Sequence, residues 1–294
     1  MSLRRDVQDL REEMEKYGGK GMDVVYKAYK KSLELIQMQI ARIYMDYSKD
    51  GELLLSRRQR FTILKRLEEQ IKEQADILGK LDEQTTTELL KEIYEESFYK
   101  AAYMIDKGLE MSINVAIIRP EFIQAAVFMP IEGEKFSDRI WTNKEKLVKK
   151  LRSEIERGMI QGDSIDKMAR RIRRTFGSSA YESKRLMRTE MARCMTMAQD
   201  KVYKESGVVK QILFDATLDQ KTSDICQERD GHLYDIESDY PKPPLHPNCR
   251  SCIVPVVDGW SPTKKRENMK NSNDEKPLID YSSYETWKAS KNID

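Results

Sequence analysis

Over the first hundred residues the apolar positions recur at three- and four-residue steps. Tyr26, Tyr29, Leu33, Ile36, Ile40, Ile43 and Tyr47 make one stripe of a long helix, with Lys27, Lys30, Lys31, Glu34, Gln37, Gln39 and Arg42 on its polar side. A short charged helix precedes it and stops at Gly18, Gly19 and Gly21, while Asp50 and Gly51 end the stripe. Ser56 is placed to cap a second helix that carries Phe61, Leu64, Leu67, Ile71, Leu78 and Leu81. A third runs from about Thr86 through Leu89, Leu90, Ile93, Tyr94, Phe98, Ala101 and Ile105. Stripes of this spacing bury a seam against other helices, so the three are expected to pack antiparallel as a hairpin or bundle, and no chemistry is assigned to them.

From Asn114 the pattern changes. Arg119-Pro120, the run FIQAAVFMP and Gly133 predict a linker or extended crossing segment. Helical spacing returns with Trp141, Leu147, Leu151 and Ile155 in a helix ending near Gly158 to Gly162, and Asp163 or Ser164 caps the next, through Ile165, Met168 and Ile172. After Gly177 and Ser178 a further helix, with Leu186, Met187, Met191 and Met195, reaches about Ser206 and stops at Gly207. Past Gly207 the period falls towards two, predicting strands at VVKQILFDAT and around Ile253 to Val257. The expected fold is mainly α: an elongated helical N-terminal region, then a helical and small α+β C-terminal domain. The expected domains are a helical scaffold at 1–113, a linker at 114–135, the C-terminal domain at 136–258 and a polar tail at 259–294, with Tyr281, Tyr284 and Trp287 as an anchor within the tail.

Composition narrows the function classes. Charged residues are 35% of the chain against 39% hydrophobic, with mean hydropathy −0.71. No run of eighteen apolar residues exists and MSLRRDVQDLREEME has no apolar core, so no membrane span or secretory leader is expected, and synthesis in a cytosol is. Four cysteines make no disulfide framework, so the thiols are expected reduced. Net charge is only +2, but sixteen Lys and Arg face seven Asp and Glu between Arg139 and Arg193. Arg170, Arg171, Arg173 and Arg174 are the candidate DNA contacts there, against the plainer reading of a solvated helix end. Cys194, on a Met-rich face, is expected to be a buried thiol.

Candidate chemistry is concentrated between Asp215 and Cys252, which hold three of the four cysteines and both histidines. Cys226, His246, Cys249 and Cys252 follow the spacing C-x19-H-x2-C-x2-C, in which a tight loop brings soft ligands to one metal, zinc being the candidate. The alternative is that His246 hydrogen-bonds backbone of the proline-held loop while the cysteines pack as small hydrophobes. Two enzyme readings compete: a cysteine hydrolase on Cys226 or Cys249 with His246, and a metal-dependent nuclease drawing on Asp215 or Asp219.

RLMRTEMAR (Arg185 to Arg193), ILFDATLDQKTSDIC, Asp230-Gly231 and PPLHPNCRS (Pro243 to Ser251) resemble, in order and spacing, the phage head morphogenesis family, the minor head proteins similar to the F protein of phage Mu. The resemblance covers about Phe136 to Val257. That family often has T-C-x-x-C where this chain has Thr222 to Cys226, so Ser223 stands for one cysteine and Cys252 is the candidate substitute. The resemblance implies a non-enzymatic minor capsid protein in the virion, inside the phage head, made in the host cytoplasm. Its implied partners are the portal protein, other head proteins and phage DNA bound without sequence readout, with roles in head assembly, packaging or ejection. Asp219, Thr222, Asp230, Gly231 and Arg250 match motif positions and are assigned to turn and loop architecture.

Overall fold

The computed structural model describes residues 3–49, 52–109, 117–257, 264–267, 269 and 277–291. Asp50, Gly51, Asn114, Trp260 and the boundary near 258 lie outside them. In order come α1 (Leu3–Gly21), α2 (Asp23–Tyr47), β1 (Ser48–Lys49), β2 (Glu52–Leu53), α3 (Arg57–Leu109), α4 (Pro120–Val127), α5 (Phe136–Gln161) and α6 (Ile165–Glu205). The smaller elements follow: β3 (Gln211–Asp215), α7 (Asp224–Gln227), β4 (Leu233–Asp235), β5 (Cys252–Val256), β6 (Lys264–Arg266), β7 (Leu278–Asp280) and α8 (Tyr284–Ser290). The protein is mainly α with small antiparallel sheets. Among the described residues no helix is long and apolar enough to cross a membrane.

The chain divides into two compact units interleaved in sequence, a helical one from 19–89 and 128–187 and a sheet-bearing one from 1–18, 90–127 and 188–294. In the helical unit the stripes are buried at Tyr29, Ile36 and Ile40 of α2, Leu67, Ile71 and Leu78 of α3, Leu147, Leu151 and Ile155 of α5, and Met168 and Ile172 of α6; Tyr44 and Phe176 join them, whereas Phe61, expected on the second stripe, is 73% exposed. The seam of α2 thus meets helices from 128–187 as well as its neighbour in sequence; Tyr44 donates to the Asp163 carbonyl. Ser56 caps α3 as expected, with Gln59 N–H donating to Ser56 Oγ at 3.3 Å and Ser56 N–H to Gln59 Oε1 at 3.0 Å.

Two expected helix breaks do not occur. The second and third predicted helices are the single 53-residue α3. About Thr86, where a third helix was expected to begin, the hydroxyls are satisfied within the helix, Thr86 donating to Asp82 Oδ1 at 3.5 Å and Thr87 to the Glu83 carbonyl at 2.7 Å. Gly79, also inside α3, is required by a close approach: a Cβ there would lie 2.6 Å from the Trp141 ring. In the same way α6 runs unbroken through Gly177 and Ser178. Ser179 and Ser183, just beyond, face inward to a buried polar network.

That network centres on Lys144, counted by its sequence among a basic surface. Its side chain is only 2% exposed, with Nζ 2.6 Å from Asp82 Oδ2, and it donates to Tyr29 Oη and to Ser183 Oγ at 3.1 Å. Ser183 Oγ donates in turn to Asp82 Oδ2 at 2.7 Å, and Asn143 Nδ2 to the Ser179 carbonyl at 3.0 Å. One charge pair and several hydroxyls, each satisfied, hold α2, α3, α5 and α6 in one register.

In the sheet-bearing unit β3 is central in the order β4-β3-β5, antiparallel to both, with Ile212 opposite Tyr234 and Pro255, and Phe214 opposite Ile253. Leu213 and Phe214 are both buried, so β3 is covered on both faces rather than on alternate ones. The segment expected as an extended linker contains α4, which buries Ile123, Ala126 and Val127. Arg193 of α6 caps it by donating to the carbonyls of Ala126 and Val127 at 2.6 and 2.9 Å while pairing with Glu190 at 2.7 Å. Within the expected polar tail, β6 pairs with β7, and Tyr284 and Trp287 of α8 cluster with Leu218 as the anticipated anchor. Lys265 is fully buried there, 2.6 Å from Asp230 and 3.2 Å from Asp215. Burial pushes the Asp230 carboxyl up, and the neighbouring Lys265 charge opposes the shift.

Lys144→Ala is expected to lower stability by about 3–5 kcal/mol in urea unfolding, because Asp82 is left buried without its cation, whereas Lys144→Met with Asp82→Leu recovers most of the loss. Cys194 is wholly buried, and burial raises its pKa from 9.0 to about 12. Since the folded value lies above the unfolded one, the stability it contributes is complete below pH 9 and is lost as pH rises towards 12. Cys194→Ala, compared with its own neutral stability, should therefore lose less between pH 9 and 10 in thermal melts than the parent.

Candidate metal centre

The H-P-N-C segment turns sharply because Asn248 takes a left-handed conformation, φ 60°, one that asparagine tolerates better than most residues. Cys249 N–H then donates to the His246 carbonyl at 3.1 Å, which sets the two side chains beside each other. Thr189 of α6 anchors the turn by accepting from Asn248 N–H at 3.1 Å. The third member arrives on α7, where Cys226 N–H bonds the Ser223 carbonyl at 2.9 Å in the first turn. Ser223 occupies the N-cap position without a side-chain cap bond. Asp219 accepts from Lys221 N–H at 2.8 Å and pairs with both terminal nitrogens of Arg250, so it orders the loops on either side.

The result is a cluster in which one donor atom each from Cys226, His246 and Cys249 lies within 4.8 Å of the others. Cys226 Sγ is 3.4 Å from His246 Nε2 and 3.7 Å from Cys249 Sγ. His246 Nδ1 lies 3.0 Å from the Pro247 carbonyl, to which it donates as the Nδ1–H tautomer, leaving the Nε2 lone pair facing the sulfurs. The backbone bond anticipated for a non-ligating histidine is thus also the bond that orients a ligating one. A hydrogen bond from Cys226 holds the Cys249 thiol well below the ordinary cysteine range, helped by backbone N–H groups of Leu245 and Ser251 and by His246. The same contact, with burial, pushes Cys226 up. The two sulfurs therefore share one proton, which a thiophilic cation would displace. Two thiolates and an imidazole form a donor set that fits zinc.

Cys252 does not join this cluster. It lies at the start of β5, where its Sγ is 3.8 Å from Asp215 Oδ2. Among the described residues no carboxylate belongs to the cluster either: Asp215 lies with Lys265 and Asp219 with Arg250. The basic candidates also separate. Arg171 is turned inward, bonding Glu154 at 2.8 Å and lying 3.0 Å from Asp163, whereas Arg170, Arg173 and Arg174 are exposed at i, i+3 and i+4 of α6.

One contributor was hidden in a charged run. Arg11 of α1 reaches the ligand loop and donates to the carbonyls of Cys249, at 2.8 Å, Arg250 and Ser251. Nearby, Gln8 Nε2 donates to Asp215 Oδ2 at 3.1 Å. The only sequence signal for either is an arginine among the polar positions of an amphipathic helix, which marks no partner.

Residues 149–254 match the family model described as Phage Mu protein F like protein, a span that begins in α5 and contains Cys226, His246 and Cys249. Over this span the chain is similar to the phage head morphogenesis family. Among curated proteins it is similar to the minor head protein GP7 of Bacillus phage SPP1, 22% identical over 281 residues that cover 90% of this chain and 91% of that protein. It is also similar to the NAD(+)–arginine ADP-ribosyltransferase EFV of Enterococcus faecalis, 26% identical over 213 residues, 67% of this chain. The chain spans only 43% of that protein's length. No solved structure matches.

Arg11→Met takes a donor from three loop carbonyls, of which that of Arg250 keeps Thr217 Oγ1 at 3.1 Å, and is expected to cost roughly 2–4 kcal/mol in urea unfolding. The same variant should expose Cys249 to a thiol reagent faster than the parent does. Unchanged thiol reactivity would show that Arg11 does not hold the loop.

Proposed function

We propose that this chain is a non-enzymatic minor head protein of a phage, made in the host cytoplasm and built into the virion. In this reading it associates with the portal and other head proteins inside the head, lies against packaged DNA, and acts in head assembly and in packaging or ejection. The single observation that carries the reading is the nearly end-to-end similarity to a minor head protein, across both units and not the Mu F-like segment alone. Buried networks such as that of Lys144 serve to fix architecture, which suits a part used for assembly. Arg170, Arg173 and Arg174 present a small basic face to a polyanion without any means of reading bases. Zinc at Cys226, His246 and Cys249 would staple the α7 segment to the ligand loop and supply folding energy to a region with little core.

A second reading comes from the similarity to an ADP-ribosyltransferase. Because the shared region is less than half of that protein, transfer chemistry is assigned to the remainder of it and not to this chain. Co-expression with the portal and other head proteins of the same phage, followed by size-exclusion chromatography, is expected to yield a complex containing the portal. Elution of this chain alone would overturn portal association. Double-stranded DNA binding is expected to weaken linearly with the logarithm of salt, and replacing Arg170, Arg173 and Arg174 by Gln should reduce that slope by about 2–3. Transfer of ADP-ribose from NAD to arginine by the purified chain would overturn the non-enzymatic assignment.

A further inference from the structure

Resting on the reading of Cys226, His246 and Cys249 as a metal centre, we propose that the protein supplies only these three ligands and that the fourth position is held by an exchangeable water. Four observations support this. First, tetrahedral zinc needs a fourth donor, and Cys252, whose spacing suggested it, is turned to Asp215 on β5. Second, a cavity of about 20 Å³ opens beside the cluster, lined by Cys226, His246, Ser223, Asn248, Lys221 and Arg250. That is room for one water and too little for a side chain from elsewhere. Third, Ser223 Oγ and Asn248 Oδ1 in that lining are buried with no hydrogen-bond partner of standard geometry. Buried polar atoms are normally paired, and one water bound to the metal would satisfy both. Fourth, Ser223, at the N-cap of the short helix that carries Cys226, lines the same small cavity as Cys226 and His246, which puts the serine beside the cluster and not in a distant wall.

The consequence is a centre open to small ligands. A closed four-thiolate or three-thiolate site is structural only, whereas a site with a solvent position exchanges that ligand and takes small anions in its place. Lys221 gives the cavity positive character, Arg250 being paired with Asp219, so water, hydroxide and small inorganic anions are the ligand class it fits. The position of Ser223 also means that a single substitution should close the site.

Zinc K-edge X-ray absorption on the purified full chain reads the ligand set directly, two sulfurs at about 2.3 Å and two nitrogen or oxygen donors at about 2.0 Å being expected. Cys252→Ala should leave this set unchanged. Ser223→Cys should convert it to three sulfurs and one nitrogen, and Ser223→Ala should keep two sulfurs and two light donors, since the fourth donor is water and not the serine. The cobalt(II) form should enhance water-proton relaxation, and excess azide should abolish the enhancement. Three sulfurs in the parent that fall to two in Cys252→Ala would overturn the open position while keeping the metal centre, as would a parent cobalt form without relaxation enhancement. A spectrum unaltered by Ser223→Cys would remove Ser223 from the fourth position and overturn the proposal. A parent chain that retains no zinc after dialysis, with Cys226→Ser and His246→Ala equally metal-free, would overturn the metal centre itself and this inference with it.

Discussion

A guanidinium spread over three successive carbonyls ties the first helix of the chain to the loop that carries its chemistry. Arg11 reaches Cys249, Arg250 and Ser251, and Thr189 of α6 holds the same loop from the other end of the turn at Asn248. The loop from His246 to Cys252, with Pro247 and a left-handed asparagine, has few backbone bonds of its own, so its shape depends on these outside donors. With the loop held, His246 and Cys249 are set beside each other, and Cys226 needs only the short α7 to reach them. Preorganisation of this kind lowers the ordering cost of ligation and fixes which histidine nitrogen faces the sulfurs.

Charge in this protein is used largely for internal order. The basic excess between Arg139 and Arg193 looks like a surface for polyanions, but Lys144 is buried on Asp82, Arg171 is bound to Glu154 and Asp163, and Arg193 caps α4 while pairing with Glu190. What remains accessible on α6 is the group Arg170, Arg173 and Arg174. The same economy operates near the C-terminus, where Lys265 is buried between Asp215 and Asp230 and so fastens the β6 segment to the strand and turn that precede α7.

Several glycines and threonines show how context overrides local signals. Gly207 and Gly162 end helices at positive φ, as their sequence positions suggest. Gly177 does not, because Ser179 and Ser183 on either turn of α6 gain partners in the Lys144 network and the helix is worth more intact. Thr86 and Thr87 likewise bond back within α3 instead of opening a new helix. The propensity cost of each such residue is a fraction of a kcal/mol up to about 1, which buried packing readily exceeds.

The sequence by itself determined the helical stripes, the Ser56–Gln59 cap, the turn at Asp230-Gly231, the central strand, and the concentration of cysteine and histidine that marks the site. These follow from periodicity and local backbone preference, which act within a few residues. Only the tertiary structure decided that two pairs of predicted helices are each one helix, that Lys144 and Lys265 are interior, that Arg11 belongs to the ligand loop, and that Cys252 stands apart from Cys226, His246 and Cys249. Each of those outcomes depends on which polar group finds a partner across a long stretch of chain, 62 residues from Asp82 to Lys144 and 238 from Arg11 to Cys249. A buried charge looks the same as a solvated one until its partner is in place, because the partner, and not the residue, determines whether burial is affordable.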